Sequence, residues 1–170
     1  GIRLVSATQG PIISWRSCGG VFGARISGGR AWPGSVSKLL SRGAMATVNW
    51  DAFADLPDSA TANFEFLCRA LIRLHYGQFG RFTALAQQAG VEFHLKLDAP
   101  CALGEPGRWY GWQCRWYDIQ RGRPIGVTRR RKIEEAIKTT EKVLPKLSDW
   151  VLWTRWPLTE GDQTWFYRIT

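Results

Sequence analysis

Glu92, His94 and Lys96 stand at alternate positions of GVEFHLKL, and Gln113, Arg115 and Tyr117 do the same in GWQCRWYD. Successive side chains of an extended chain point to opposite faces, so each polar set shares one face of its strand. The intervening residues are apolar: Val91, Phe93, Leu95 and Leu97 on the first arm, Tyr110, Trp112, Cys114 and Trp116 on the second. With the loop-like DAPCALGEPGR between them, the arms read as a hairpin whose polar sets lie side by side once the apolar sets face a core. A carboxylate beside an amide oxygen can hold Mg²⁺ (or Mn²⁺), a hard ion that takes oxygen ligands. A neighbouring cation could stabilise charge developing on a phosphate or orient an attacking water. The plain alternative is a half-solvated sheet face without chemistry. Spacing alone leaves both readings open.

The elements that must position these residues are legible in outline. DLPDSAT supplies turn and N-cap residues. NFEFLCRALIRLHYG follows with Phe64, Leu67, Cys68, Leu71 and Leu74 at helical spacing and Gly77 as a stop. Glu65 falls in the first turn expected for this helix, where an acid favours the helix dipole. RFTALAQQAG reads as a shorter helix or turn. RGRPIGVTRRR is a basic loop leading into KIEEAIKTTEKVLP, whose Ile133, Ala136, Ile137, Val143 and Leu144 form an amphipathic stripe. DWVLWTRWPL is a third strand, and Thr159 and Asp162 open a last helix. The order helix, strand, strand, helix, strand, helix predicts an α/β fold with a mixed sheet.

Composition bounds the rest. The 170 residues suit one domain, and no run of about 18 apolar residues exists to span a bilayer. Cys18, Cys68, Cys101 and Cys114 form no CxxC pair and only two histidines are present, so zinc-ligand spacing is absent. Scattered cysteines without a convincing signal peptide favour free thiols and a cytoplasmic location; Cys68 and Cys114 fall on apolar phases, as core residues do. The net charge is +9, of which residues 1–44 carry +6 without a single acid. That stretch also holds nine of the 18 glycines, and composition changes abruptly at Met45. Residues 1–44 are therefore expected to be a disordered or mis-annotated basic extension, with 45–170 as the folded domain; a basic nucleic-acid-binding arm is the rival reading. No GxxxxGK[S/T] phosphate loop occurs.

A helix bearing Glu65, a strand opened by GVE, and a second strand carrying GWQCRWY together resemble the PD-(D/E)xK nuclease superfamily. Within it the Mrr-like restriction endonucleases are most similar, since their third motif element often reads Q-x-K. The resemblance extends through KIEEAIKTTEKVLP and DWVLWTRWPLT. It implies a restriction endonuclease-like mixed β-sheet flanked by helices that cuts DNA with Mg²⁺ or Mn²⁺. Glu92 takes the place of the metal-binding acid, Gln113 that of a second ligand through its amide oxygen, and Glu65 that of the first-helix acid. Arg115 stands where the family expects lysine. Lysine is a compact charge whose pKa can shift, whereas arginine is a fixed-charge fork suited to phosphate; Lys96 is the candidate to supply the missing ammonium. The basic run Arg129, Arg130, Arg131 and Lys132 is a candidate contact for DNA phosphates. Such domains often precede an NTPase or sensor region in prokaryotic defence proteins, so the final helix start implies a domain cut short of its C-terminal partner. Double-strand cleavage would favour a homo-oligomer. The alternative is a catalytically inactive nuclease-fold module that binds nucleic acid or docks a partner.

Overall fold

A computed structural model describes residues 2–7, 48–84 and 90–169. Strand β1 spans Arg3–Ala7, helix α1 Trp50–Ala54 and helix α2 Ala60–Tyr76. Strands β2 (Gly80–Ala84), β3 (Phe93–Leu97) and β4 (Trp109–Arg115) follow. Helix α3 (Val127–Val143), strand β5 (Asp149–Thr154) and helix α4 (Glu160–Phe166) complete the fold.

The strands form one mixed sheet in the order β1-β5-β4-β3-β2. The β2–β3–β4 run is antiparallel, while β5 lies parallel to both β4 and β1. Phe93, Leu95, Leu97, Tyr110, Trp112, Cys114 and Val151 fill one face, packed with Trp50 of α1 and Phe64, Cys68 and Ile72 of α2. Trp150 and Leu152 fill the other, with Ile133 and Ile137 of α3 and Phe166 of α4. The central strands are thus covered on both sides, and β4 is buried almost throughout, as parallel-type α/β layering demands. The α/β mixed sheet expected from the sequence is present.

Four local expectations need correction. The Ser59 hydroxyl caps α2 by accepting from the Ala62 N–H at 3.2 Å. The helix therefore starts at Ala60, ahead of the NFEF stretch, and Glu65 stands in its second turn, past the strongest N-terminal field. RFTALAQQAG is not a helix at its start: residues 80–84 are edge strand β2, paired with β3 from Gly80↔Leu97 to Ala84↔Phe93, and Phe82 and Thr83 suit that strand. Nor is the N-terminal stretch wholly an extension. Arg3–Ala7 form an edge strand beside β5, with Ile2 and Leu4 buried in the core. The remainder of residues 1–44, the rival basic arm and Met45 lie outside the described residues.

Helix α3 begins at Val127, so the arginine run lies inside its first turns and not in a loop. Asp162 of α4, fully buried, draws that end of α3 onto the sheet by accepting from Arg130, Thr159 and the Ile125 N–H. Among the described residues no helix is long and apolar enough to cross a membrane.

Candidate functional site

The motif strands meet where β3 begins. Val91 packs in the α3–α4 cluster and Phe93 in the α2 cluster, although regular alternation would put both on one face. The reason is local. The Glu92 N–H donates to the Trp112 carbonyl at 2.9 Å, while Trp112 is the register partner of Phe93. Two residues therefore face one, the arrangement of a β-bulge, which re-aims a side chain. Two glycines allow it. Gly90, at φ +88, lies so close to α3 that a Cβ would come within 2.1 Å of both the Ala136 carbonyl oxygen and Thr140 Oγ1. A Cβ on Gly111 would meet Val91 Cγ1 at 2.9 Å and Leu147 at 3.0 Å. The glycines of GVE and GWQ seat β3 and β4 against α3 and the loop after it.

The bulge turns the Glu92 carboxylate toward the end of β4. Oε2 accepts from the Cys114 N–H at 2.8 Å, and Oε1 from Arg115 Nη1 at 2.5 Å. The Glu92 side chain is only 13% exposed, against 37% for Arg115. Burial pushes the Glu92 carboxyl above the ordinary carboxylate range. Arg115 and the Cys114 N–H pull it back without cancelling the burial, and the charge of Glu65 raises it further.

Gln113 and Arg115 share the face of β4 opposite Trp112 and Cys114. Gln113 was expected on a half-exposed face, but it lies beside Leu152 on the face that α3 and α4 cover, and the residue is only 1% exposed. Its Oε1 is buried and has no hydrogen-bond partner among the described residues, an arrangement that costs about 1–3 kcal/mol. Tyr117 closes the cluster. Its phenol is pushed up to about 12, first by burial and also by Glu92, against the pull of Arg115 and Arg129. Arg129 lies over the Tyr117 ring at 5.4 Å and donates to the Ile125 carbonyl.

Other sequence candidates fall elsewhere. Lys96 is the register partner of Trp109 and Arg81; four residues along an extended chain separate it from Glu92, roughly 13 Å. It cannot supply an ammonium to the Glu92–Arg115 pair. His94 accepts from Trp109 Nε1 through Nδ1 at 2.9 Å, and burial lowers its pKa. In the basic run, Arg130 is committed to Asp162 and Arg131 sits 3.7 Å from Glu135 on the surface. Tyr117 and the Glu92 bulge were not singled out as functional from the sequence; Tyr117 shares the polar phase of Gln113 and Arg115, a signal that could have marked it. Trp109, Trp153 and Trp156, the aromatic residues that base stacking would call on, are half-buried in the packing.

Glu65, on α2, lies on the Trp112–Cys114 side of the sheet, whereas Gln113 shares the α3–α4 side with its register partner Leu152, so the structure does not bring the two together. Among the described residues no three His, Cys, Asp or Glu side chains gather to hold a metal, so the amide oxygen would be an essential member of any donor set. Oxygen donors suit Mg²⁺ or Mn²⁺ better than zinc or copper, but both Glu92 oxygens are engaged by internal donors and Glu65 stands on the other face, so the described residues do not assemble a complete set of ligands. Compared with protein-family models, with curated proteins and with solved structures, the chain matches none.

Proposed function

We propose that this domain is a metal-dependent DNA endonuclease with a restriction endonuclease-like fold, acting in defence against foreign DNA. One observation carries the reading: a buried, unpartnered amide oxygen, Gln113 Oε1, on the strand whose next residues hold a buried carboxylate with a raised pKa. Both features cost stability, and a divalent cation within reach of both would relieve them. When bound, Mg²⁺ or Mn²⁺ would polarise the phosphoryl oxygen and lower the pKa of a bound water. Glu92 and Gln113 would contribute ligands to the ion; Glu65, a third ligand by resemblance, would have to reach it from the α2 side of the sheet. Arg115, a fixed-charge fork, would grip a phosphate oxygen and move no proton. Tyr117, protonated at neutral pH, is available as a neutral donor beside it. Arg129, which lies over the Tyr117 ring, and Lys132, three residues on along α3, would take flanking phosphates. A C-terminal NTPase or sensor region, and a homo-oligomer that pairs two sites for double-strand cutting, belong to the same proposal.

The purified chain with Mg²⁺ or Mn²⁺ is expected to nick supercoiled plasmid DNA and to stop when EDTA is added. Glu92→Ala should abolish nicking, and a variant that nicks at the parental rate would refute the site.

A second reading, a nucleic-acid-binding or docking module without cleavage, is favoured by the occupancy of both Glu92 oxygens by internal donors. Duplex binding with no nicking at any metal concentration would select it.

A further inference from the structure

We infer that the turn after β5 is an oxyanion site: Arg155 and Trp156 are arranged to donate buried N–H groups to phosphate oxygens, from a nucleic-acid backbone or from free phosphate. Neither a bound metal nor cleavage is needed for it.

A charge out of balance marks the place. Arg108, Arg115 and Arg130 each end on a largely buried carboxylate, of Asp149, Glu92 and Asp162 respectively. Arg155 is more buried than these three, with only 11% of its side chain exposed. Yet among the described residues its one carboxylate partner is Asp118, 97% exposed and 3.4 Å away. A buried charge without a close counter-charge is costly. The indoles of Trp116 and Trp156, with centroids 4.4 and 5.7 Å from the Arg155 Cζ, offset part of that cost.

The hydrogen bonds are incomplete at the same spot. Arg108 and Arg130 each donate through Nε and Nη2, the paired edge of the guanidinium fork. Arg155 uses only half of that edge. Its Nη2 donates to the Ile119 carbonyl at 2.8 Å and more distantly to Asp118, while Nε is buried without a partner among the described residues. Trp156 Nε1, on the very next residue, is buried and unpartnered as well. Buried donors without partners are rare in folded proteins. A third donor group, exposed Arg121, lies 5.9 Å from the Trp156 ring.

These groups select the ligand. All of them are donors and two are cationic, so a cation would be repelled and an apolar group would leave the donors unmet. An oxyanion supplies both the charge and the lone pairs. The planar fork of arginine matches phosphate oxygens, and a tetrahedral anion has acceptors left for the indole and for Arg121. The position suits a ligand too. Thr154, the residue before Arg155, is the register partner of Arg115, so the donors gather beyond the carboxyl ends of the parallel strands β4 and β5. In open α/β sheets that end is where ligands bind. Asp118 is the cover with least to hold it, and an arriving oxyanion takes its place beside Nη2 and reaches Nε.

The test follows the indole N–H resonances of the full 170-residue chain in a proton–nitrogen correlation spectrum. Inorganic phosphate is added at an ionic strength held constant with sodium chloride. Trp156→Phe identifies the Trp156 resonance by its loss. Phosphate is expected to shift that resonance saturably. Arg155→Lys keeps the charge but loses the fork, and should weaken phosphate binding by about tenfold or more. Asp118→Asn removes the competing carboxylate from a solvent-exposed position and should tighten binding by about twofold to fivefold. A single-stranded oligonucleotide that saturates the shift at a lower phosphate concentration than the free ion assigns the site to a nucleic-acid backbone; the reverse order assigns it to free phosphate. No saturable shift with either overturns the site. So does an Arg155→Lys variant, folded by near-UV circular dichroism, that binds as the parent does. Should that variant not fold, Asp118→Asn decides, and affinity equal to or below the parent's overturns the site.

Discussion

Asp162, with no exposed surface, accepts from Arg130 Nε at 3.1 Å and Nη2 at 2.7 Å through one oxygen, Oδ1. Its other oxygen accepts from the Ile125 N–H at 3.1 Å and the Thr159 hydroxyl at 2.7 Å. The carboxylate thereby joins the first turns of α3 and α4, and the α3 end carrying Arg129 is held beside the site. Asp162→Ala should cost about 3–5 kcal/mol, because it leaves Arg130 part-buried and unpaired; urea unfolding measures it.

The same residue sets a pH dependence. Burial alone would raise the Asp162 pKa, but the donors Thr159, Arg130 and Ile125 together hold it below the ordinary value. A depressed native pKa gives stability that is complete above the unfolded value of about 3.9 and is lost as pH falls through the native one. The parent should lose stability as pH drops below about 4, and Asp162→Asn should show a flatter profile there. Parallel profiles for the two would remove Asp162 as the titrating group.

Gly90→Ala is expected to destabilise by about 3 kcal/mol or more, combining overpacking with strain at positive φ. The clash is with α3, so the strand start bearing Glu92 must shift away from it. Loss of both thermal stability and Mn²⁺ uptake is the expected outcome. A variant as stable as the parent would show that Gly90 does not seat the bulge.

Glu92→Gln should separate stability from function. The Glu92 pKa is raised, chiefly by burial. A raised carboxyl pKa favours the folded state only while the group is protonated; that benefit fades as pH rises from the unfolded value of about 4.3 through the native one. At neutral pH the ionised group therefore costs stability. The neutral amide keeps an acceptor for the Cys114 N–H and should raise stability by up to about 1 kcal/mol while ending Mn²⁺ uptake. Thermal melts at pH 7 check the sign, and a clear loss of stability would show that the Arg115 pair outweighs the burial.

What was legible in the sequence was local. The β3–β4 arms, α3 and β5 follow from periods of 2 and 3.6, and Thr159 announced α4. The sheet edges were not legible. β1 pairs with residues 149–153 across nearly the whole chain, and no local pattern encodes so distant a partner. β2 carries residues that also suit a helix, and only its neighbour β3 decides the matter. At the site, alternation correctly put Gln113 and Arg115 together. It misplaced Lys96 because a shared face says nothing about distance along the strand. It also missed the bulge, where two residues face Trp112 and alternation fails. The burial of Gln113 depends on α3 covering that face, a tertiary fact that a strand pattern cannot carry.

The basic run of α3 should divide in function. Arg129 and Lys132 are three residues apart and share a helix face. Arg129 reaches Tyr117, whose ionisation responds to Glu92 and Arg115, so this face borders the site. Arg130 is spent on Asp162 and Arg131 leans on Glu135. If the domain binds DNA there, Lys132→Ala and Arg129→Ala should each weaken duplex binding about equally across sequences. Each should also reduce the slope of log affinity against log salt by about 1. Arg131→Ala should change the slope little, and Arg130→Ala should appear chiefly as lost folding stability. Fluorescence anisotropy on a short duplex over a salt series reads all four. If the Arg129 and Lys132 slopes match the parent, no phosphate lies against α3 and the DNA path must run over another face of the sheet.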